Sequence, residues 1–219
     1  NCLQNIISKN KNIKKEILVI NDNSSDNTEK ILKSFKNIKI INLKKNKGVG
    51  FARNYGAKKS KYNILCYVDS DLIISKNSIS QLIKRLKRDG AVGTVGGIQK
   101  TINLNKKSYS SNFVCLKSCY GFDDVLNETN FSVIHSEFCV IEKRFLSKIG
   151  GWKSYENAGG EEFERGERIL NSGKEIILIK EAFYTTYYTD LYTRFKKIID
   201  RTEKYLGILL KKKYFDSKG

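Results

Sequence analysis

The sequence predicts an α/β domain with a mostly parallel central sheet that is flanked by helices. Between Glu16 and Gly97, short runs of β-branched and apolar residues alternate with longer amphipathic stretches. This alternation is typical of β-α-β units, whose parallel strands are buried on both faces. Polar side chains follow two of the apolar runs, and ligands of such sheets bind beyond the carboxyl ends of the strands. The sequence therefore predicts both a fold class and the edge of the sheet that carries a site.

Each element is predicted from its own pattern. In chain order, these are strands at 16–20, 38–43, 62–68 and 91–97, which alternate with helices at 26–35, 48–60 and 78–88. The stretch from Lys100 to Glu137 has no clear period, so we predict a long loop that covers the site. From Phe138 the pattern predicts a strand, a short helix, a Gly-Gly-Trp turn, a mobile segment, a helix beginning near Gly160 and a final strand.

Composition limits the partners. The 219 residues carry a net charge of +18, which predicts an anionic partner such as a phosphate group, a nucleic acid or an acidic membrane surface. The basic residues are dispersed and match no nucleic-acid motif, so we expect no specific nucleic-acid partner. The five cysteines are an odd number in apolar surroundings, and we expect reduced thiols in a cytoplasmic protein.

The two ends of the chain are interpreted separately. Nothing at the N-terminus resembles a signal peptide, and no apolar run reaches the ~18 residues of a membrane-spanning helix. Because methionine is absent, we expect Asn1 to be an internal residue of a longer protein. We predict one domain over 1–190 and a basic amphipathic helical segment over 191–219.

Four polar residues lie at predicted strand ends. Asn21 and Asp22 follow the first predicted strand, and Asp69 and Asp71 follow the third. Residues two apart in an extended segment face the same side, so Asp69 and Asp71 can present both carboxylates to one ligand. Helix capping is the structural alternative for each of these acids.

Other residues have the spacing that is expected for helix capping. Asp26 with Glu29, and Ser78 with Gln81, both have the spacing of a capping box. We therefore interpret the acids at the strand ends, including Asp22, as having no capping role.

A second acidic cluster begins the predicted helix near Gly160. Glu161 can pair with Arg165, and Glu164 with Arg168, at the i+4 spacing of an exposed helix. Glu162 has no i+4 partner, although Arg165 at i+3 keeps a salt bridge open as an alternative. The helix N-terminus favours an ionised carboxylate, which suits a general base.

Four ordered motifs resemble glycosyltransferase family 2, whose members have the GT-A fold. "ILVINDNSSDNT" resembles the family's first strand-to-loop motif, and "NKGVGFARNYGAKKS" resembles its following Arg-Asn segment. "YVDSDL" is similar to its DxD motif, and "FLSKIGGW" with "GGEEFERGERILNSG" resembles its Gly-Gly turn and acidic helix. The match runs from about Cys2 to Gly173.

The resemblance implies a role for each matching position. Asp22 would contact the nucleotide base, Arg53 would lie along the nucleotide and Asp69 would approach the ribose. Asp71 would bind Mn²⁺ or Mg²⁺, and Glu162 would be the general base. Other positions in these motifs are Asn21, in the nucleotide site, and Gly151, Trp152 and Glu161, in the sugar region.

The family also implies a reaction. It would be inverting, metal-dependent transfer of a sugar from a nucleoside-diphosphate donor to a saccharide or lipid-linked acceptor. Three departures are present: the expected first strand is lacking, Glu162 replaces an aspartate, and no histidine lies near residues 183–190. A catalytically inactive sugar-nucleotide or glycan-binding module is therefore the alternative.

The C-terminal segment has a basic amphipathic pattern. Its apolar residues recur at near-helical spacing with Lys and Arg between them. Packing against the catalytic domain is one interpretation of this pattern. Peripheral attachment to the cytoplasmic face of a membrane is the other.

Overall fold

The structure is a computed structural model that describes residues 2–103, 108–119, 128–130, 136–153, 161–199 and 202. Its helices are α1 (Cys2–Lys9), α2 (Thr28–Lys33), α3 (Val49–Lys59), α4 (Ser78–Arg88), α5 (Tyr109–Cys119), α6 (Lys143–Lys148), α7 (Glu161–Asn171) and α8 (191–199). Its strands are β1 (Leu18–Asn21), β2 (Lys39–Asn42), β3 (Ile64–Val68), β4 (Leu72–Ile74), β5 (Val92–Asn103), β6 (Glu128–Asn130), β7 (Phe138–Glu142) and β8 (Glu175–Thr186).

The strands form a pair and a larger sheet. Strands β1 and β2 pair in parallel, while the six-stranded sheet has the order β3-β7-β5-β8-β4 with β6 also paired to β8. In the larger sheet β5 and β8 are parallel, and β7 runs antiparallel to both β3 and β5. The predicted α/β architecture of sheet and flanking helices is confirmed, and its larger sheet has mixed strand directions.

The core forms around the two longest strands and α4. Val95 on β5, Phe138 on β7 and Leu82 on α4 are fully buried in one cluster, because the apolar face of α4 packs on the sheet. A smaller cluster lies between α3, α6 and β7 and contains Leu146 and Trp152. This second cluster supports the region in which the predicted site residues lie.

Helix α1 and the residue that follows it fix the β4–α4 connection. The Asn5 side chain accepts a hydrogen bond from the Ile74 N–H at 2.9 Å, and Asn10 accepts one from Ile79 N–H at 3.3 Å. The predicted capping box at Ser78 is wrong, because Ser78 is already helical and its hydroxyl donates to a carbonyl of the preceding turn. A distant asparagine therefore satisfies the orphan N–H at the start of α4.

The stretch from Lys100 to Glu137 differs from the prediction. It contains the end of β5, helix α5 and strand β6, so the prediction of a loop is wrong for 109–119 and 128–130. Apolar residues lie on both the exposed and the buried face of α5, with serines between them, so the sequence has no polar face that would mark an amphipathic helix. The remaining residues of this stretch before 136, and the predicted mobile segment at 154–160, lie outside the described residues.

Two predictions about the chain ends remain open. Strands β1 and β3 each have one hydrogen-bonded neighbour within the described sheets, and the lack of a first strand stays a prediction. Helix α8 begins at residue 191, where we placed the start of the C-terminal segment. Beyond 199 the structure describes only residue 202, so the boundary of the two predicted domains also stays a prediction.

Candidate functional site

Asp69 follows β3 and is held by groups from two other elements. Its N–H donates to the Glu137 carbonyl at 2.8 Å, where β7 begins beside β3. Its Oδ1 accepts from Arg53 Nη2 at 2.9 Å, an ion pair in which the arginine side chain is buried. Burial raises the pKa of Asp69, the nearby Arg53 opposes this increase, and the carboxylates of Glu137 and Asp71 add to it. Asp69 is therefore a partly buried acid whose charge depends on Arg53.

Arg53 is positioned by helix α3, and Asp22 fixes the start of that helix. The Asp22 carboxylate accepts hydrogen bonds from the N–H groups of Lys47 at 2.8 Å and Gly48 at 2.7 Å. Helix α3 has no side-chain cap hydrogen bond, which agrees with our interpretation that Asp22 has no capping role; its carboxylate binds the loop before α3, which the end of β1 meets. Asn21 is buried and donates to the side chain of Asn42 at 3.0 Å. Asp22 thus orders the backbone before α3, while Asn21 links the ends of β1 and β2.

Trp152 is held in place by a Gly-Gly turn and by side chains from two helices. Gly150 and Gly151 have φ values of +87° and +70°, which favour glycine, and they turn the chain into Trp152. The side chain of Asn54 accepts from the Trp152 N–H at 2.8 Å and donates to its carbonyl at 2.6 Å. Arg168 on α7 donates to the Gly151 carbonyl at 2.9 Å. Helices α3 and α7 therefore hold the predicted sugar-region turn from both sides.

The indole ring of Trp152 is buried and not an exposed platform. It is 3% exposed, and its centroid lies 4.4 Å from the guanidinium carbon of Arg53 and 3.4 Å from that of Arg165. Tyr67 from β3 meets the same ring edge-on at 5.0 Å. Trp152 therefore orients Arg53, which in turn contacts Asp69.

Arg165 is a site residue that the sequence did not reveal. It is 0% exposed, and its three guanidinium nitrogens have no hydrogen-bond partner among the described residues. Burial lowers its pKa to about 10, although the Cys139 thiol opposes this decrease. The predicted exposed pair with Glu161 is wrong, because Arg165 shares the buried face of α7 with Ile169. That i+4 spacing from an apolar residue was the available signal.

The second predicted pair on α7 is confirmed. Glu164 accepts from Arg168 at 2.8 Å and pairs with Lys153 at 2.7 Å. Burial acts to raise the pKa of Glu164, but the hydrogen bonds from these two cations outweigh it and lower the pKa below its ordinary value. This network links α7 to the turn that carries Trp152.

Glu162 is connected to Asp69 through two consecutive residues. Ser136 donates a hydrogen bond to Glu162 Oε1 at 2.8 Å, and the next residue, Glu137, accepts from the Asp69 N–H. Glu137 Oε2 also accepts from the Tyr184 hydroxyl at 3.0 Å. Ser136 and Glu137 were missed because they lie in the stretch predicted as a loop. The structure thus brings together two predicted acids that are 93 positions apart, from 69 to 162 in the sequence.

The other predicted residues are placed less completely. Asp71 is exposed just before β4, and its carbonyl accepts from Thr186 Oγ1 at 3.2 Å. Glu161 begins α7, and its side chain lies outside the described residues. Where the chain is described, no group of three His, Cys, Asp or Glu side chains could hold a metal ion alone. The carboxylates of Asp69 and Asp71 nevertheless fit Mn²⁺ or Mg²⁺, which are often held by one or two carboxylates plus ligand phosphates.

A family model provides the decisive comparison. The model for "Glycosyl transferase family 2" matches residues 1–150, more than half of the chain. The chain belongs to this family. The resemblance to this family is therefore confirmed. The family match includes β1 to α6, with Asp22, Arg53 and Asp69, and it ends before Trp152 and Glu162.

Curated relatives of the family agree. Poly-β-1,6-N-acetyl-D-glucosamine synthase from Staphylococcus epidermidis is 29% identical over 148 residues, which cover 63% of this chain and 35% of that protein. The synthase of the same name from Staphylococcus aureus strain COL is 28% identical over 149 residues, or 64% of this chain and 35% of that protein. The chain therefore corresponds to about a third of the length of these relatives.

Solved structures confirm the GT-A fold of this family member. GalNAc-T7 with UDP, GalNAc and Mn²⁺ aligns with a TM-score of 0.69 at 15% identity, covering 87% of this chain and 41% of that chain. The mannosyltransferase PcManGT from Pyrobaculum calidifontis, with GDP-Man and Mn²⁺, aligns with a TM-score of 0.62 at 16% identity, covering 84% and 51%.

Proposed function

We propose that this chain is an inverting, metal-dependent glycosyltransferase that moves a sugar from a nucleoside-diphosphate sugar to a saccharide or lipid-linked acceptor. Family membership supports this reaction class. The curated relatives are named as polysaccharide synthases, which supports a saccharide acceptor and a role in polysaccharide biosynthesis. Two neighbours in fold contain Mn²⁺ with a nucleotide or nucleotide sugar, which supports the donor class and the cation.

One observation carries the proposal. The Asp69–Arg53 ion pair rests on Trp152, and Ser136 joins Glu162 to the residue that hydrogen-bonds Asp69. A cation on α3 and an acid just after β3 suit an anionic donor, and a second carboxylate close by suits an acceptor hydroxyl. A site with the Asp69–Arg53 pair but without the second carboxylate would bind a nucleotide sugar and lack a base for the transfer.

The nucleotide half uses the residues at the strand ends. Each oxygen of Asp22 accepts one backbone N–H and can accept a second donor, so it can still contact the base. Arg53 lies along the diphosphate, while Asp69 approaches the ribose. Asn21 supports the same pocket from β1.

The divalent cation would be held by Asp71 together with donor phosphates. Mn²⁺ or Mg²⁺ supplies neutralisation of the charge on the departing nucleoside diphosphate. Because Asp71 is exposed and lies two residues from Asp69, its carboxylate is accessible to a ligand that also reaches the ribose. The other steps depend on residues of this chain.

Glu162 is the proposed base. Its carboxylate takes the proton of the acceptor hydroxyl as that oxygen bonds to the anomeric carbon and the bond to the diphosphate oxygen breaks. A single displacement inverts the configuration at the anomeric carbon. Ser136 orients the carboxylate by donating to Oε1. By the family resemblance, Gly151, Trp152 and Glu161 would belong to the adjoining sugar region, with Trp152 as a buried support because it is 3% exposed.

The test separates donor binding from transfer. Nucleotide sugars are screened by thermal shift with and without Mn²⁺, and release of nucleoside diphosphate is measured with a saccharide acceptor. We expect Asp71→Ala to abolish the metal-dependent release, and Glu162→Gln to retain donor binding while transfer is lost. Ser70→Ala, at the exposed position between the two aspartates, is the matched control and should behave as the unaltered protein.

Two results would contradict the proposal. Donor binding without any release by the unaltered protein would favour the inactive binding module. Equal loss of binding and transfer in Glu162→Gln would remove this residue as the base.

We also propose a cytoplasmic location, which the free thiols of Cys2, Cys66 and Cys139 support.

A further inference from the structure

Helix α5 presents an apolar stripe to solvent. Tyr109, Phe113 and Leu116 recur at i, i+4 and i+7 and therefore share one face, and Tyr109 is 94% exposed. The other face is buried through Ser111 and Val114. Scattered apolar residues on a surface need no explanation, but three on one helical face form a patch.

Helix α8 presents a second stripe of the same kind. The exposed apolar residues that share its face are Leu191, Tyr192, Phe195, Ile198 and Ile199. Tyr192 is 81% exposed and Phe195 64% exposed. Asp190 caps the helix, because its carboxylate accepts from the N–H and the hydroxyl of Thr193 at 2.9 and 2.8 Å. The N-terminus of the helix is thus capped, although its apolar face is largely exposed to solvent.

Tyr188 joins the two helices at one edge of the protein. Its carbonyl accepts from Ser111 Oγ at 3.2 Å, and its ring packs with Val114, so the buried face of α5 lies on it. Its hydroxyl accepts from Gln99 Nε2 at 2.5 Å, which ties it to β5. Because Asp190 follows two residues later, α8 begins beside α5. We call the eight exposed apolar residues of α5 and α8 the apolar platform.

Basic residues accompany the platform. Helix α8 carries Arg194, Lys196 and Lys197 and no acidic residue between 191 and 199. At 100° per residue, Arg194 and Lys196 lie on the two borders of the apolar stripe. Lys196 also lines an open groove of about 500 Å³ with four of the apolar side chains. Apolar residues bordered by cations are typical of helices that lie at a membrane interface.

We propose that the apolar platform docks on an anionic lipid bilayer. The apolar side chains would enter the boundary between headgroups and acyl chains, while the bordering cations meet lipid phosphates. No described helix is long and apolar enough to cross a membrane, and the proposed contact does not require one. The platform extends our prediction for the C-terminal segment, because α5 supplies a second, independent face.

Charge distinguishes this partner from a second copy of the chain. Pairing two platforms would bring the cations of both α8 helices together in a protein whose net charge is +18. Like charges at close range oppose such a contact, whereas an anionic surface attracts it. The proposal does not depend on the catalytic residues.

The experiment is co-sedimentation of the full chain with vesicles. Vesicles of phosphatidylcholine alone are compared with vesicles that also contain phosphatidylglycerol, at low and high salt. We expect binding only to the anionic vesicles, with a decrease at high salt. Phe113→Ser and Phe195→Ser should each weaken the partition by about tenfold, since each removes one inserted aromatic ring.

Matched variants separate insertion from general charge attraction. Tyr62→Ser removes a 38% exposed aromatic ring that lies beside Lys61 and Arg144, outside both helices, and it should bind as the unaltered protein does. Lys196→Glu should abolish salt-sensitive binding. Circular dichroism of each variant confirms the fold.

Three results would overturn the proposal. The first is equal binding to vesicles with and without the anionic lipid. The second is unchanged binding by Phe113→Ser, which would remove α5 from the surface. The third is a stable dimer in solution that Phe195→Ser dissociates, which would assign the platform to a second copy.

Discussion

Replacing Arg165 tests whether its buried charge costs stability. In Arg165→Leu the guanidinium is exchanged for an apolar side chain in a site that is 0% exposed. Such a change normally removes hydrogen bonds, but the three guanidinium nitrogens have none among the described residues. The expected result therefore depends on two opposing terms, the desolvation of the cation and its contact with Trp152.

Both terms can be worked from the structure. Burial lowers the pKa of Arg165 to about 10, which corresponds to a cost of roughly 3 kcal/mol for the charged form. The stacked contact with Trp152, at 3.4 Å, contributes about 2 kcal/mol when it is desolvated. We therefore expect Arg165→Leu to raise the free energy of unfolding by about 1 kcal/mol. Arg165→Lys keeps a buried charge but loses the planar contact, so we expect it to lower that free energy by about 2 kcal/mol.

The assay is urea unfolding of the two variants and the unaltered protein. Because the folded-state pKa is depressed to about 10, the cost is present at every lower pH and is relieved only above that value. The difference between Arg165→Leu and the unaltered protein should therefore be the same at pH 6 and pH 8. A loss of more than about 2 kcal/mol in Arg165→Leu would refute the reasoning, because it would mean that the guanidinium has partners that hold it.

Three further predictions concern the surrounding network. Gly151→Ala should lower the free energy of unfolding by about 2 kcal/mol, because φ is +70° and a Cβ would lie 2.7 Å from a side-chain oxygen. Gly90→Ala is the control, since a Cβ at that position would meet open space, and it should change thermal unfolding little. Glu164→Gln should lower the free energy of urea unfolding by about 2 kcal/mol. Because the pKa of Glu164 is lowered, its stabilising effect is fully present at a pH above its ordinary pKa, and it should fade as the pH decreases through the folded-state pKa. Arg53→Gln should raise the pKa of Asp69 further, so that donor binding in a pH titration requires higher pH; an unchanged profile would contradict the ion pair.

Local patterns predicted the elements and the acids at the strand ends. Strands such as β3 and β7 are short apolar runs, and the helix at 161–171 begins with a glutamate cluster, so both are visible in the sequence. Proximity of Asp69 and Asp71 follows from their spacing of two. The link from Asp69 to Glu162 was expected only through the family resemblance, since no local pattern predicts it.

Tertiary contacts determine the features that the sequence did not predict. The Arg165 side chain packs against the Trp152 ring, which a turn brings next to α7. The exposed i+4 pair of Arg165 with Glu161 that the sequence predicted is therefore wrong. Asp22 bonds to backbone N–H groups that are 25 and 26 positions away, a contact that its own neighbours do not indicate. Helix α5 has apolar residues on its exposed face and packs on β5, a contact that its own sequence does not indicate.

The position of Ser136 and Glu137 has a consequence for the tolerance of the chain to insertions. The antiparallel register of β7, with Phe138 opposite Val68, places these two residues between Asp69 and Glu162. Extra residues before Ser136 leave that alignment unchanged. A single residue inserted between Glu137 and Phe138 would shift the dipeptide away from Asp69 and break the connection between Asp69 and Glu162.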